Sequence, residues 1–200
     1  MAERGTVPIS RRNRVTAVLV ALACVVVAGV GVKITDDLDT GEVVRTARVG
    51  EPAPYNGGTL TVTKVTPGTM ITNDYSDNAL TTGGMFLQLT VRIAAPDGPV
   101  ATGASGGLEL HSGDHIYRSF GDTVMSVTTG YVGTADLVFE VDPRHLDGAY
   151  VDFKKSEIIH VTPAVVRVRL GITKDNVAQW RASAKGRTLQ PADLQEKPIP

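Results

Sequence analysis

Hydrophobic and polar residues alternate with a period of two along much of the chain. Met85, Leu87, Leu89, Val91 and Ile93 stand between Phe86, Gln88, Thr90 and Arg92. Successive side chains of a strand point to opposite faces, so this spacing predicts a strand with one apolar face. Thr59 to Val65 alternates Leu60 and Val62 with threonines. Tyr131 to Val141 turns Leu137, Phe139 and Val141 inward and Asp136 and Glu140 outward, and Asp142-Pro143 stops it. Val165 to Ile172 alternates Val166, Val168, Leu170 and Ile172 with Arg167 and Arg169. Ala149 to Phe153 makes a short strand, and Glu42 to Val49 a first edge strand. Leu108 to His111 and Ile116 to Ser119 flank Ser112-Gly113-Asp114, a hairpin connection.

The intervening segments read as turns and loops. Pro52, Pro54 and Asn56-Gly57-Gly58 block a regular ladder between Gly50 and Gly58. Thr66 to Gly84, with Pro67-Gly68 and a polar run from Thr72 to Asn78, reads as a long loop; Pro96-Asp97-Gly98-Pro99 is a turn. About seven or eight short strands, with no amphipathic helices between them for βαβ units, predict an all-β antiparallel sandwich over residues 48–172. Only Lys174 to Lys185 has helical character, with Thr173 or Asp175 as cap, Gly186 closing it, and Val177, Trp180 and Ala184 on one face. Residues 173–200 are therefore expected to be a short helix followed by a flexible, polar tail.

A different pattern occupies the N-terminus. Val15 to Val32 is an 18-residue apolar run without a charge. At about 1.5 Å per residue it reaches roughly 27 Å, close to the ~30 Å hydrocarbon core of a bilayer. Ile34 extends it where Lys33 snorkels to the headgroups. Arg4, Arg11, Arg12 and Arg14 precede the run, whereas Asp36, Asp37 and Asp39 follow it. The positive-inside bias then predicts a cytoplasmic basic tail at 1–14, a single transmembrane helix at 15–34 and a stalk running into the edge strand at 35–47. Everything beyond Lys33 is expected outside the cell membrane. Three other readings stay open: a cleaved signal peptide, although no Ala-x-Ala site follows; a lipidated Cys24 after Ala21-Leu22-Ala23; and a twin-arginine signal at Arg11-Arg12.

Composition narrows the chemistry. A net charge of −1 implies no basic surface and argues against a nucleic-acid partner. Cys24 is the only cysteine and lies in the apolar run, so the exported part has neither disulfide nor thiol chemistry. Aromatic content of 5% with frequent Gly, Thr and Val suits short strands and tight turns.

The order of features carries a family resemblance. Val49-Gly50-Glu51 leads to a Gly-Thr-Leu-Thr-Val strand at 58–62, and then to the strand Gly84 to Val91. Leu108-Glu109-Leu110 runs into Gly113 to Tyr117, and Gly130 and Gly133 precede Leu137 to Val141. Over about Arg48 to Ile172 this resembles the telokin-like, immunoglobulin-fold domains of secreted and membrane-anchored Gram-positive, chiefly actinobacterial, proteins. Arg92-Ile93-Ala94-Ala95 departs from the Asn that usually ends the corresponding strand. The resemblance implies an immunoglobulin-like fold and an envelope location, and it carries over no residue-level activity.

Candidate chemistry is sparse. His111, Asp114 and His115 flank one turn and are the most metal-like group, yet the solvation of a hairpin tip explains them better. Asp74, Asp77 and Asn78 lack the spacing of a calcium loop. Gly103-Ala104-Ser105-Gly106-Gly107 does not join a strand to a helix, so it is neither nucleophile elbow nor phosphate loop. His145 and His160 have no nucleophile beside them, and Arg167 with Arg169 makes a solvated strip. No catalytic, cofactor-binding or metal residue is assigned, no cofactor is expected, and no enzymatic activity is expected. The expectation is a membrane-anchored extracytoplasmic binding or scaffolding module, with other envelope proteins as partners. Capture of a small envelope lipid or glycan by the loops 66–84 and 98–107 is the alternative; a hydrolase or metal-dependent enzyme is the third.

Overall fold

The computed structural model describes residues 43–73, 76–102, 108–120, 125–154 and 164–200. The predicted tail, span and stalk at 1–42 lie outside them, as do Cys24, Asp74, the glycine-rich loop 103–107 and His160. Among the described residues no helix is long and apolar enough to cross a membrane.

The chain forms an all-β sandwich. Its strands are β1 (Val43–Arg48), β2 (Ala53–Tyr55), β3 (Gly58–Asn73), β4 (Ser76–Ala95), β5 (Val100–Thr102), β6 (Leu108–Ser112), β7 (His115–Arg118), β8 (Met125–Val127), β9 (Tyr131–Val141), β10 (Tyr150–Lys154), β11 (Ala164–Arg169), β12 (Thr188–Leu189) and β13 (Gln195–Pro198). One sheet has the order β1-β11-β10-β6-β7, with β1 parallel to β11. The other has the order β12-β3-β4-β9-β13, with β2 beside β3. β5 and β8 pair separately.

The period-two reading of β4 accounts for the core. Met85, Leu87, Leu89, Val91 and Ile93 are all buried, opposite Val141, Phe139, Leu137, Ala135 and Gly133 of β9. Across the sandwich, Ala47, Val168, Val151 and Leu110 lie in one register row of the first sheet and close over this face. Tyr55 is buried beneath them and donates its hydroxyl to the Lys154 carbonyl at 3.1 Å. Burial raises its pKa above the ordinary phenol value.

Three local expectations are corrected. The segment 66–84 is not a loop: β3 and β4 continue through it as a two-stranded ribbon with register shifts at Val62/Lys64, Gly68/Met70 and Ile71/Asn73. Pro67 is tolerated because neither β2 nor β12 reaches β3 at that position, and the bulges absorb the irregularity. Residues 50–58 also carry a ladder, since Ala53–Tyr55 pairs with Gly58–Leu60 around Asn56-Gly57. Both turn residues have positive φ (50° and 80°), the geometry of a two-residue hairpin whose twist matches its strands.

The third correction concerns the C-terminus, which is not a fraying tail. Helix α1 (Val177–Ala184) buries Ala184 and packs Val177 and Trp180 on the core, as their shared face predicts. Its N-cap is Asn176 rather than Thr173 or Asp175, and the Asn176 carboxamide oxygen accepts the Thr173 N–H at 2.8 Å. The chain then adds β12 beside β3 and β13 beside β9. Asp136, outward as predicted, is the fastener. It accepts from Gln88 (2.8 Å), Thr90 (2.6 Å) and the Ala192 N–H (2.9 Å), while its own N–H donates to the Ala192 carbonyl (3.0 Å). Under this strap Leu189 covers Phe86, Val138 and Ile71, a second apolar cluster on the outer face of the sheet. Gly68 permits the approach, because a Cβ there would stand 2.5 Å from Leu189 Cγ.

Leu189→Ala should therefore destabilise the fold by about 2–3 kcal/mol, the cost of a buried large-to-small change. Urea denaturation measures it, and a loss below about 0.5 kcal/mol would show that the strap is dispensable.

Candidate functional site

Alternation that buries one side of the five-stranded sheet puts the other side in solvent. Two register rows cross that outer face. One is Arg48, Arg169, Tyr150, His111 and Ile116; the other is Thr46, Arg167, Asp152, Glu109 and Arg118. The face holds a charged and aromatic network. Arg167 donates to Asp152 through Nε (2.9 Å) and a terminal nitrogen (2.8 Å), the forked geometry that suits guanidinium to carboxylate. Asp152 keeps only 4% of its side-chain surface. The Arg167 guanidinium lies 4.1 Å over the Tyr150 ring, and His111 stacks on the same ring at 4.9 Å and 6°. Lys154 donates to Glu109 at 3.2 Å. His111 Nε2 is 3.4 Å from Glu109 and 3.8 Å from Asp152, yet it is buried without an aligned hydrogen bond.

At the β1 side of the face, Arg48 and Arg169 are direct register partners. Adjacent strands lie about 4.8 Å apart, and like charges placed opposite each other are destabilising. No ion-pair partner is seen for the Arg48, Arg169 or Arg118 side chains among the described residues. Ile116, 59% exposed, adds an apolar element to this face. The inference from net charge that no basic surface exists is thus corrected. A sum near zero does not describe a distribution, and here cations gather on one sheet face.

The hairpin β6–β7 separates the two histidines that the sequence placed together. Gly113, with φ +58°, opens its two-residue turn, so Ser112 pairs with His115 and His111 with Ile116. One residue of offset sends His111 to the charged face and His115 away from it. His115 instead stacks on His145 at 4.3 Å and 20°, and Asp114 sits exposed in the turn. Ser112 donates its hydroxyl to the His145 carbonyl. Among the described residues no group of three or more His, Cys, Asp or Glu side chains could hold a metal ion. The side chains of Asp77 and Asn78, like Asp74, fall outside the described set.

His145 belongs to a 3-10 turn, Pro143–His145, that follows β9. Asp142 caps it, accepting the Arg144 N–H at 2.9 Å, and takes the Arg144 guanidinium through Nε (3.0 and 3.1 Å) and a terminal nitrogen (2.7 Å). These bonds, the side-chain one first, hold the Asp142 carboxyl well below the ordinary carboxylate range and raise the Arg144 guanidinium.

Sequence reasoning pointed to Arg167, Arg169 and the hairpin histidines but passed over Tyr150, Asp152, Glu109 and Arg48. A signal was present for Asp152: it is the one acid between Val151 and Phe153, in a strand neighbouring the Arg167 strand. Arg167 is accordingly a structural partner of Asp152 rather than part of a solvated strip.

No protein-family model matches the chain, and no curated protein matches it. Two solved structures are similar to it. One is an uncharacterised β-sandwich protein of Clostridium difficile 630, at 8% identity and TM-score 0.42, covering 64% of this chain and 95% of that one. The other is YcdA, a candidate lipoprotein of Bacillus subtilis strain 168, at 12% identity and TM-score 0.39, covering 64% of this chain. The chain spans 40% of the length of that second protein. The fold itself places the described part of the chain among the β-sandwich domains.

Two measurements test the electrostatics. Arg167→Ala should cost about 3 kcal/mol in urea denaturation, because it strands a buried carboxylate. Asp152→Ala should cost less, since the half-buried guanidinium can turn to water; the reverse order would contradict the assignment. For Asp142 the folded-state pKa is depressed, so its stabilising contribution is present at neutral pH and is lost as pH falls through that low value. Arg144→Ala should move the Asp142 titration, followed by carboxyl carbon NMR, up toward the ordinary range near 3.9.

Proposed function

We propose that this chain is a membrane-tethered, non-enzymatic binding module of the cell envelope. Its N-terminus lies in the cytoplasm and its sandwich outside. The observation that carries the binding role is the outer face of the five-stranded sheet, where Arg48 and Arg169 stand side by side beside the Tyr150 stack. A folded chain gains nothing internal from setting two cations together. An acidic surface on a partner protein would relieve their repulsion, and complementary charge steers association and selects partners. The exposed Ile116 on the same face supplies apolar contact.

The tether rests on the apolar run Val15 to Val32 and its flanking charges. The finer fold assignment is an immunoglobulin-like sandwich. It is supported by the neighbour order β11-β10-β6 in one sheet and β3-β4-β9 in the other, which follows the G-F-C and A-B-E orders of that fold. A role without catalysis rests on the sequence, which offers no nucleophile motif and no base beside one.

The test uses the full chain at native expression, with a photo-crosslinker at Ile116. The chain should stay in the membrane pellet after alkaline carbonate extraction and yield one adduct of defined mass. The double variant Arg48→Glu, Arg169→Glu should lose that adduct while keeping its melting temperature. Release by carbonate overturns the tether; no adduct, or one that survives charge reversal, overturns the docking face.

A further inference from the structure

A recess opens on the side of β7 opposite the docking face, where Tyr117 points. It is a cleft of about 540 Å3, walled by Gly83, Gly84, Tyr117, Glu140, Asp142 and Arg144. That volume falls within the range of small-ligand pockets. Its polar groups are bonded to one another. Asp142 is pinned by the Arg144 side chain and by the Arg144 N–H. The Tyr117 hydroxyl oxygen accepts the Asp142 N–H at 3.3 Å, which leaves the phenolic hydrogen available to donate. Glu140 takes the Thr82 hydroxyl on Oε1, and Oε2 has no partner among the described residues.

Charge then sorts the candidate ligands. Glu140 and Asp142 stand against Arg144 on the wall and Arg181, which is bonded to the Pro143 carbonyl at 2.7 Å behind it, so charge is balanced and the cleft favours a neutral ligand over an anion or a cation. Acceptors and donors set close together are what vicinal hydroxyls satisfy, since each hydroxyl both donates and accepts. The backbone around the cleft is also bare. Gly83 has open space where a Cβ would stand, whereas Gly84 is pressed against β9, its notional Cβ 2.7 Å from the Val141 carbonyl oxygen.

We propose that this cleft binds an uncharged polyol, a neutral saccharide unit, through Glu140, Tyr117 and the Asp142–Arg144 pair. The proposal does not depend on the docking face. The full chain, in a zwitterionic detergent without sugar headgroups, is probed with maltotriose, cellotriose and chitotriose by saturation-transfer NMR. At least one probe should receive saturation at millimolar concentration. Glu140→Ala and Gly83→Trp should each weaken it by about fivefold or more at unchanged melting temperature. Arg169→Glu, on the docking face, should leave it unaltered, so that failure here and failure of the docking face are separately read. No transfer to any of the three probes, transfer undiminished in both cleft variants, or tighter binding of inorganic phosphate than of the saccharides overturns the proposal.

Discussion

The inner ladder between β4 and β9 is the constraint on which the rest of the molecule depends. Cys24 is the sole cysteine, so no intrachain disulfide can staple the sandwich. Apolar contact between two sheets has to hold it instead. β4 is paired on both edges, and its five inward side chains meet the inward row of the opposite sheet. Period two then dictates what the outside looks like. Once Ala47, Val168, Val151 and Leu110 face in, Arg48, Arg169, Tyr150 and His111 have to face out, in register. The charged outer face is the other side of the core requirement. A one-residue slip of β11 would bury its arginines and expose its valines.

The strands that alternate strictly were legible without a structure. Met85 to Ile93, Tyr131 to Val141 and Val165 onward each occupy the places their patterns predict, and the hairpin at Gly113-Asp114 closes as expected. What the pattern could not reveal depends on partners distant in the chain. Thr66 to Gly84 looked like a loop because Pro67-Gly68 is a local turn signal. The ribbon exists because Gly68 admits Leu189 from 121 residues later. Asp136 reads as a solvated outward acid, and only the arrival of Ala192 makes it a clasp. The site divides in the same way. The arginine alternation was visible, but the Arg48–Arg169 juxtaposition needs the parallel pairing of β1 with β11, which no local spacing encodes.

The two proposed sites differ in chemistry as well as place. The sheet face gathers guanidinium groups around a tyrosine whose ring is stacked against His111 and capped by Arg167, so it offers charge and an apolar margin and suits another macromolecule. The cleft near Asp142 carries balanced charge and hydrogen-bonding groups on a small scale. Among the described residues, a near-neutral chain thus sets unpaired arginines on one sheet face while pairing other charges. This arrangement is open to an outward-facing set of residues, because positions that do not pack are free to vary without disturbing those that do.

The pairing of the first strand with the last long one, and of β3 and β9 with the final strands, also bears on how the molecule is made. β1 finds β11 only after more than a hundred residues have intervened, and β9 and the Met70–Ile71 end of β3 lack these outer neighbours until β13 and β12 arrive. Such long-range pairings must close large loops before they gain stability, which slows folding. A chain synthesised from its N-terminus therefore holds unpaired edges until these later strands emerge. Until those distant strands pair, the open edges are the places most exposed to misassociation and proteolysis.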